Sequence, residues 1–400
     1  MDAGLTHGRF GGAVATAARR HADALAAVLF FGFVAFIHGI PATVMNNDVI
    51  VADAWLHHRA WVIPLGPWVE APIYHGLHYV IEAPFPALLM VPLVALQGVA
   101  ANETLVCLIV AALGIAGVYR LGEHVTGSTR AAIALTAFAA TGTSFLSCAA
   151  DGSVWCFAHI AAFTFSIFAI NEMLGRQRGW LVGLFACAAG LSRYSLLPAI
   201  LVYLVWLLLD RRIRSAAVAF VVGVLCAIPW AFYNEARWGS LYDRGFTIVY
   251  HQDPRATANG YTFSTSNVWM QVQAFFVRPP HFIGAFPWMT PPMFGFALTW
   301  MSLALIGVLL TLPMLRRRPI AMLWIAMLLS AVPSFLYYDT GGVELGMRHA
   351  LDFEPFAIAL LAFALRTRWD GWLRFLLYAS AAVGLYESLI FIIAPQLITL

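Results

Sequence analysis

What most constrains this chain is a succession of apolar runs, each near the length of a membrane-spanning helix, with arginine clusters between them. A helix needs about 20 mostly apolar residues to cross the hydrocarbon core. Eleven runs meet or approach that length: 23–40, 103–121, 131–149, 153–172, 179–192, 195–209, 214–233, 292–313, 319–337, 351–366 and 373–394. Of the 400 residues, 61% are hydrophobic and 11% charged, whereas a soluble domain carries roughly a quarter charged residues. The chain therefore reads as an all-α polytopic membrane protein, with one transmembrane domain over 1–400. A twelfth run, 84–98, is brief and holds Pro84, Pro86 and Pro92. It reads as interfacial or re-entrant rather than spanning.

Arginine placement sets the sidedness, because basic loops stay cytoplasmic. The clusters are Arg19/Arg20, Arg120 with Arg130, Arg176/Arg178, Arg211/Arg212/Arg214, Arg316/Arg317/Arg318 and Arg366/Arg368/Arg374. Eleven crossings put all of them inside; counting 84–98 as a twelfth separates the first from the rest. The N-terminus is then cytoplasmic, and the first run is expected to be an uncleaved helix, since no small-residue cleavage site follows it. The loop 41–102, the turns at 150–154 and 191–195, the loop 234–291 and the loop 338–350 fall outside. The five cysteines lie in apolar runs without paired spacing and read as packing residues. No nucleic-acid partner is expected.

Residues 45–86, MNNDVIVADAWLHHRAWVIPLGPWVEAPIYHGLHYVIEAPFP, are too polar to cross a bilayer. They hold Asp48, Asp53, Glu70, Glu82, His57, His58, His75, His78 and three tryptophans. Ionisable groups at a membrane are costly unless used, so this is where chemistry is first sought; the alternative is a wet loop with an aromatic belt. Further candidates on the same side are Glu82-Ala83-Pro84-Phe85-Pro86 with the apolar stretch to Gly98, Asp151 in SCAADGSVW, and Arg193 with Tyr194 in GLSRYSLLPA. Arg193 departs from the positive-inside pattern and has no acidic neighbour in sequence. Asp53 is expected to begin or flank a short surface helix, DAWLHHRAW. His75-x-x-His78 has one turn of separation, but no spacing here matches a dedicated zinc motif.

Taken in order, these features resemble the GT-C superfamily of membrane glycosyltransferases, most of all the branch of protein O-mannosyltransferases and the lipid A aminoarabinose transferase. Tyr233-Asn234-Glu235-Ala236-Arg237-Trp238-Gly239-Ser240 is similar to a Tyr-Asn…Phe-Gly-Ser signature of bacterial members. Gly346-Met347-Arg348-His349, leading to Asp352-Phe353-Glu354-Pro355-Phe356, looks like their Gly-Tyr-Arg-Tyr…Pro-Phe element. The sequence departs from the family at Val49, where an Asp-Glu doublet is common, and at Ala83, where a basic residue is usual.

The resemblance implies a GT-C-like bundle of about eleven transmembrane helices in the cytoplasmic (inner) membrane, with short interfacial helices in the first outer loop. It implies a hexosyl- or pentosyltransferase of the cell envelope, moving sugar from a polyprenyl-phosphate donor onto a hydroxyl of a lipid, glycan or protein. Such transfer needs a carboxylate to take the acceptor proton and fixed cations or a metal for the leaving phosphate. On that basis Asp48 is the candidate base, with an Asx-turn after Asn46 and Asn47 as the structural alternative. Arg193, Tyr194 and Arg348 are candidates for the donor phosphate. Glu82, Asp151 and Asp53 are candidates for positioning the acceptor or a divalent metal, and His75, His78 and His281 for binding one. A transporter or flippase of a lipid-linked glycan is the rival from another class. It would need ionisable residues within the spans, and these hold almost none beyond Glu387. A non-catalytic scaffold subunit is the third reading.

Overall fold

A computed structural model of the chain describes residues 21–66, 69–252, 262–292, 294–342 and 344–394. The Arg19/Arg20 cluster lies outside them. Each of the eleven apolar runs contains helix. Five helices are long and apolar enough to cross a membrane: Glu103–Thr126, Val154–Leu174, Ile213–Trp238, Arg318–Leu336 and Gly371–Ile393. A bent pair, Thr129–Thr141 and Phe145–Asp151, makes a sixth if it is one span. Shorter apolar helices include Ala22–His38, Gly179–Gly190, Leu197–Leu209 and a 3-10 segment, Leu303–Met314. Strand is confined, among the described residues, to two two-stranded hairpins and isolated bridges. The chain is an all-α polytopic membrane protein.

Local chemistry sets the helix ends. Asn102 accepts a hydrogen bond from the Leu105 amide at 3.1 Å, capping Glu103–Thr126. Its amide also reaches the Ile40 carbonyl at 2.8 Å, which ties this helix to the segment that follows Ala22–His38. At the far end Gly127 takes the left-handed conformation (φ 67°) that closes helices.

Burial separates centre from rim. The apolar windows of Glu103–Thr126 and Val154–Leu174 are 67% and 78% buried, against 11% for Ile213–Trp238, 28% for Arg318–Leu336 and 33% for Gly371–Ile393. The first two, with Glu354–Thr367, form the middle of the bundle, and the other three turn apolar faces outward. Phe138, Phe145, Phe157 and Phe163 fill the space between them.

Two expected spans are broken. The run 131–149 bends by 53° between its two helices. The Gly142 carbonyl at the break accepts from Ser302 Oγ at 2.7 Å, and beside it Thr141 Oγ1 donates to the Ala381 carbonyl at 2.9 Å. The run 292–313 becomes helical only at Leu298, after Pro292 and a positive-φ Gly295, and its main part is 3-10. All five cysteines are free thiols, four of them buried.

The twelfth run forms a helix, Phe85–Gln97. At 13 residues it is about 20 Å long, short of the ~30 Å core. It packs against a second short helix, Asn47–Leu56. That helix corrects the expectation for Asp53. It starts six residues earlier and places Asp53 in its last turn, because His57 ends it and His58 turns left-handed (φ 56°). The segment 41–102 thus contains two short helices, 47–56 and 85–97.

Candidate active site

Asp48 lies in the first turn of Asn47–Leu56 and is 1% exposed. Burial raises its carboxyl well above the usual range, and its Oδ2 has no hydrogen-bond partner among the described residues. It is a helical residue, so the Asx-turn alternative fails. Two other carboxylates sit around it. Glu82 Oε1 accepts from the Asn47 side-chain amide at 3.3 Å, and Glu103 Oε2 accepts from the Val49 amide at 3.2 Å. Each leaves its other oxygen enclosed and unpartnered. Burial, then the charges of Glu70 and Asp48, push Glu82 well up. Packing of 47–56 against the start of Glu103–Thr126 thus gathers three acids that lie far apart in sequence.

Asp151 stands at the rim. It is exposed and accepts from the Ser153 amide at 3.3 Å and from the Ser153 hydroxyl. Gly152 after it is so close to Thr104 that a Cβ would lie 2.5 Å from the Thr104 Cα. This contact holds Asp151 beside the Glu103 end of the central helix. Asp53 belongs elsewhere. Five residues beyond Asp48, it points about 140° round the helix and pairs with Arg59 at 3.1 Å.

Arg193 is not an unpaired cation. Its Nε is 3.3 Å from Asp352, which is fully buried. Asp352 also accepts from Ser195 Oγ at 2.6 Å and meets His159 Nδ1 at 2.7 Å. Arg193 Nη2 lies 3.4 Å from His349 Nδ1. Burial, with His159, Arg193 and Arg348 nearby, holds His349 well below its usual value, so it is neutral near pH 7. The Arg193 side chain keeps 26% exposure, and its Nη1 takes no part in these two contacts.

Arg348 pairs with Glu344 at 3.0 Å and lies 5.7 Å from the Trp155 ring, whose N–H donates to Glu70 at 3.1 Å. Burial pushes Glu344 up to about 8, despite the cation. Asp151 is close enough to act on Arg348 electrostatically. The acids and this arginine therefore belong to one neighbourhood.

Tyr194 has a structural commitment. Its hydroxyl donates to Asp243 at 2.9 Å and accepts from Trp230 at 3.1 Å. Asp243 also holds Arg237 (2.9 Å), which is buried, lies over the Tyr233 ring at 4.1 Å and donates to the Val80 carbonyl at 2.7 Å. Through Arg237, the Tyr233–Ser240 motif thus ties Asp243 to Val80, two residues before Glu82.

The histidines do not gather. His75 and Gly76 form a left-handed turn (φ 49° and 79°) between strands Ile73–Tyr74 and Leu77–His78. The expected one-turn helical separation of His75 and His78 is therefore absent, and His78 Nδ1 is 2.8 Å from the Ala71 carbonyl. His281 is in the other hairpin. Among the described residues, no three of His, Cys, Asp or Glu are placed to hold a metal ion. The candidates His75, His78 and His281 are not brought together, among the described residues, to hold the divalent metal that the resemblance admits.

The chain matches no family model, no curated protein and no solved structure.

Sequence reasoning missed Glu103, Glu344, His159 and Asp352. Glu103 follows the capping Asn102, where an acid reads as an ordinary helix start. The spans also carry more ionisable groups than expected: His159, Glu172 and Glu354 are buried in helices, besides Glu387.

Proposed function

We propose that the chain is a GT-C-like glycosyltransferase of the cytoplasmic membrane. It moves a sugar from a polyprenyl-phosphate donor to a hydroxyl of a lipid, glycan or protein at the outer face. Its eleven helical runs cross the membrane, with the N-terminus inside and 85–97 lying at the interface. The observation that carries the reading is Asp48, a buried carboxylate with an unpartnered oxygen in the outer-side cluster with Glu82 and Glu103. A permanently buried acid without a cation partner costs stability unless it is used.

In the proposed reaction the acceptor oxygen attacks the anomeric carbon as Asp48 takes its proton. The bond from that carbon to the phosphate oxygen breaks, and the phosphate leaves with the electron pair. One displacement inverts the anomeric centre. The Arg193 guanidinium, oriented by Asp352, and the Arg348 cation oppose the charge that grows on the phosphate. Glu82, Glu103 and Asp151 line the acceptor side, and burial of Asp48 makes it a stronger base than a solvated carboxylate.

The test compares cell-envelope glycans by mass spectrometry with and without the gene, and with Asp48→Asn in its place. Loss of a single sugar unit, not restored by Asp48→Asn, is expected. Glu387 favours a second reading, a flippase of a lipid-linked glycan, because it is fully buried in Gly371–Ile393 with both oxygens unpartnered. Loss of a whole glycan, restored by Asp48→Asn but not by Glu387→Gln, would select it.

A further inference from the structure

At the opposite end of the bundle, three interhelical turns enclose an open groove of about 380 Å³, lined by Gln177, Leu209, Asp210, Arg211, Arg212 and Arg318. Asp210 organises it. One oxygen accepts from Arg318 Nη1 at 2.5 Å and the other from the Gln177 amide at 2.7 Å. Arg318 also donates to the Leu209 carbonyl at 2.6 Å. With Asp210 committed, Arg211 and Arg212 have no acidic partner among the described residues, and the lining carries three cations against one anion. The helices Ile213–Trp238 and Arg318–Leu336 both begin here, and neither start has a side-chain cap. Two helix starts add positive potential to the arginines.

The surroundings distinguish a lipid from a free anion. Leu201, Val205 and Leu208 recur at helical spacing on one face of Leu197–Leu209 and are 65%, 48% and 53% exposed. They form an apolar stripe about 10 Å long that leads from the groove along the bundle. Ile213, across the turn, is 68% exposed. A polar, cationic groove continuous with an apolar stripe matches a molecule with an anionic head and hydrocarbon tails.

The geometry points to a binding site for the phosphodiester headgroup of an anionic phospholipid of the cytoplasmic leaflet, held by Arg211, Arg212 and Arg318 with an acyl chain on Leu201, Val205 and Leu208. The assignment of leaflet rests on the sidedness proposed above; the chemistry of the groove does not. Basic pockets between helices at a membrane surface capture such headgroups, each cation contributing a fewfold in affinity.

The full chain in detergent is titrated with dioleoyl phosphatidylglycerol, dioleoyl phosphatidylcholine and inorganic phosphate, and occupancy is read by native mass spectrometry. Phosphatidylglycerol is expected to bind in preference to phosphatidylcholine. The double change Arg211→Gln/Arg212→Gln should weaken it about 25-fold, the product of about fivefold per cation, and leave phosphatidylcholine unchanged. Val205→Ser, at the centre of the stripe, serves as the apolar variant and should lower retention of both lipids. Equal binding of the two lipids by the unchanged chain, or an undiminished preference in the double variant, overturns the site. Displacement of the lipid by millimolar phosphate overturns the lipid assignment in favour of a free anion. Labelling of a cysteine at position 211 by an external reagent in intact cells would overturn the sidedness while leaving the micelle result standing.

Discussion

Asp48 carries a consequence for pH. It acts as a base only when ionised, and burial raises its pKa. Activity should therefore rise with pH through an apparent value well above the usual carboxylate range and be lost as pH falls through it. Asp48→Asn should reduce turnover by roughly 10²–10⁴ with normal protein level; near-normal turnover would move the base elsewhere. The Arg193–Asp352 pair leads to a different expectation. Asp352→Asn leaves Arg193 and His159 without their shared anion, and removing one partner of a buried pair costs about 3–5 kcal/mol. The folded yield and melting temperature in detergent should both fall, and adding Arg193→Gln should recover part of the loss. Asp48 could be picked from sequence as an acid in the polar stretch 45–86, and Arg193 as a cation that departs from the positive-inside pattern. Asp352 could not be paired with Arg193, because 159 residues separate them and no local pattern records the contact.

Among the elements, the bent pair around Gly142 shows what hydropathy conveys and what it omits. The run 131–149 was legible as apolar, but its break depends on the C-terminal helix. A Cβ on Gly384 would lie 1.9 Å from the Thr141 carbonyl oxygen, so only glycine lets the two backbones meet. Gly384→Val should destabilise the protein by about 1–3 kcal/mol or more through overpacking. Gly32→Ala, where nothing lies within 4 Å, serves as the control. A melting temperature unchanged by Gly384→Val would show that the helices do not pack this closely. The short helix 85–97 was legible from its length and prolines. The helix 47–56 was misplaced because it packs against 85–97, a contact that no apolar period in its own sequence records.

For the whole molecule, the proposed sidedness predicts which loops a membrane-impermeant thiol reagent reaches. Single cysteines at 65 and 342 should label in intact cells of a cysteine-free variant, and those at 177 and 316 should not. Labelling at both 65 and 177 would exclude eleven crossings. Apolar length, a property of short windows, made the helical architecture readable. The outer cluster was readable only as a list of residues, since its geometry comes from segments that meet after the bundle closes.

The Asp352 hub also sets an order for making the protein. Ser195, Arg193 and His159 enter the membrane well before Asp352 is synthesised, and during that interval His159 and Arg193 lack the carboxylate that they share in the finished fold. Completion of the molecule is thus registered at a single late residue. A nascent chain released before 352 would present an unneutralised arginine to membrane quality control, whereas one released soon after Glu354–Thr367 would not. In a truncation series measured by pulse-chase, half-life should therefore step upward between endpoints at 345 and 370 rather than grow evenly with length.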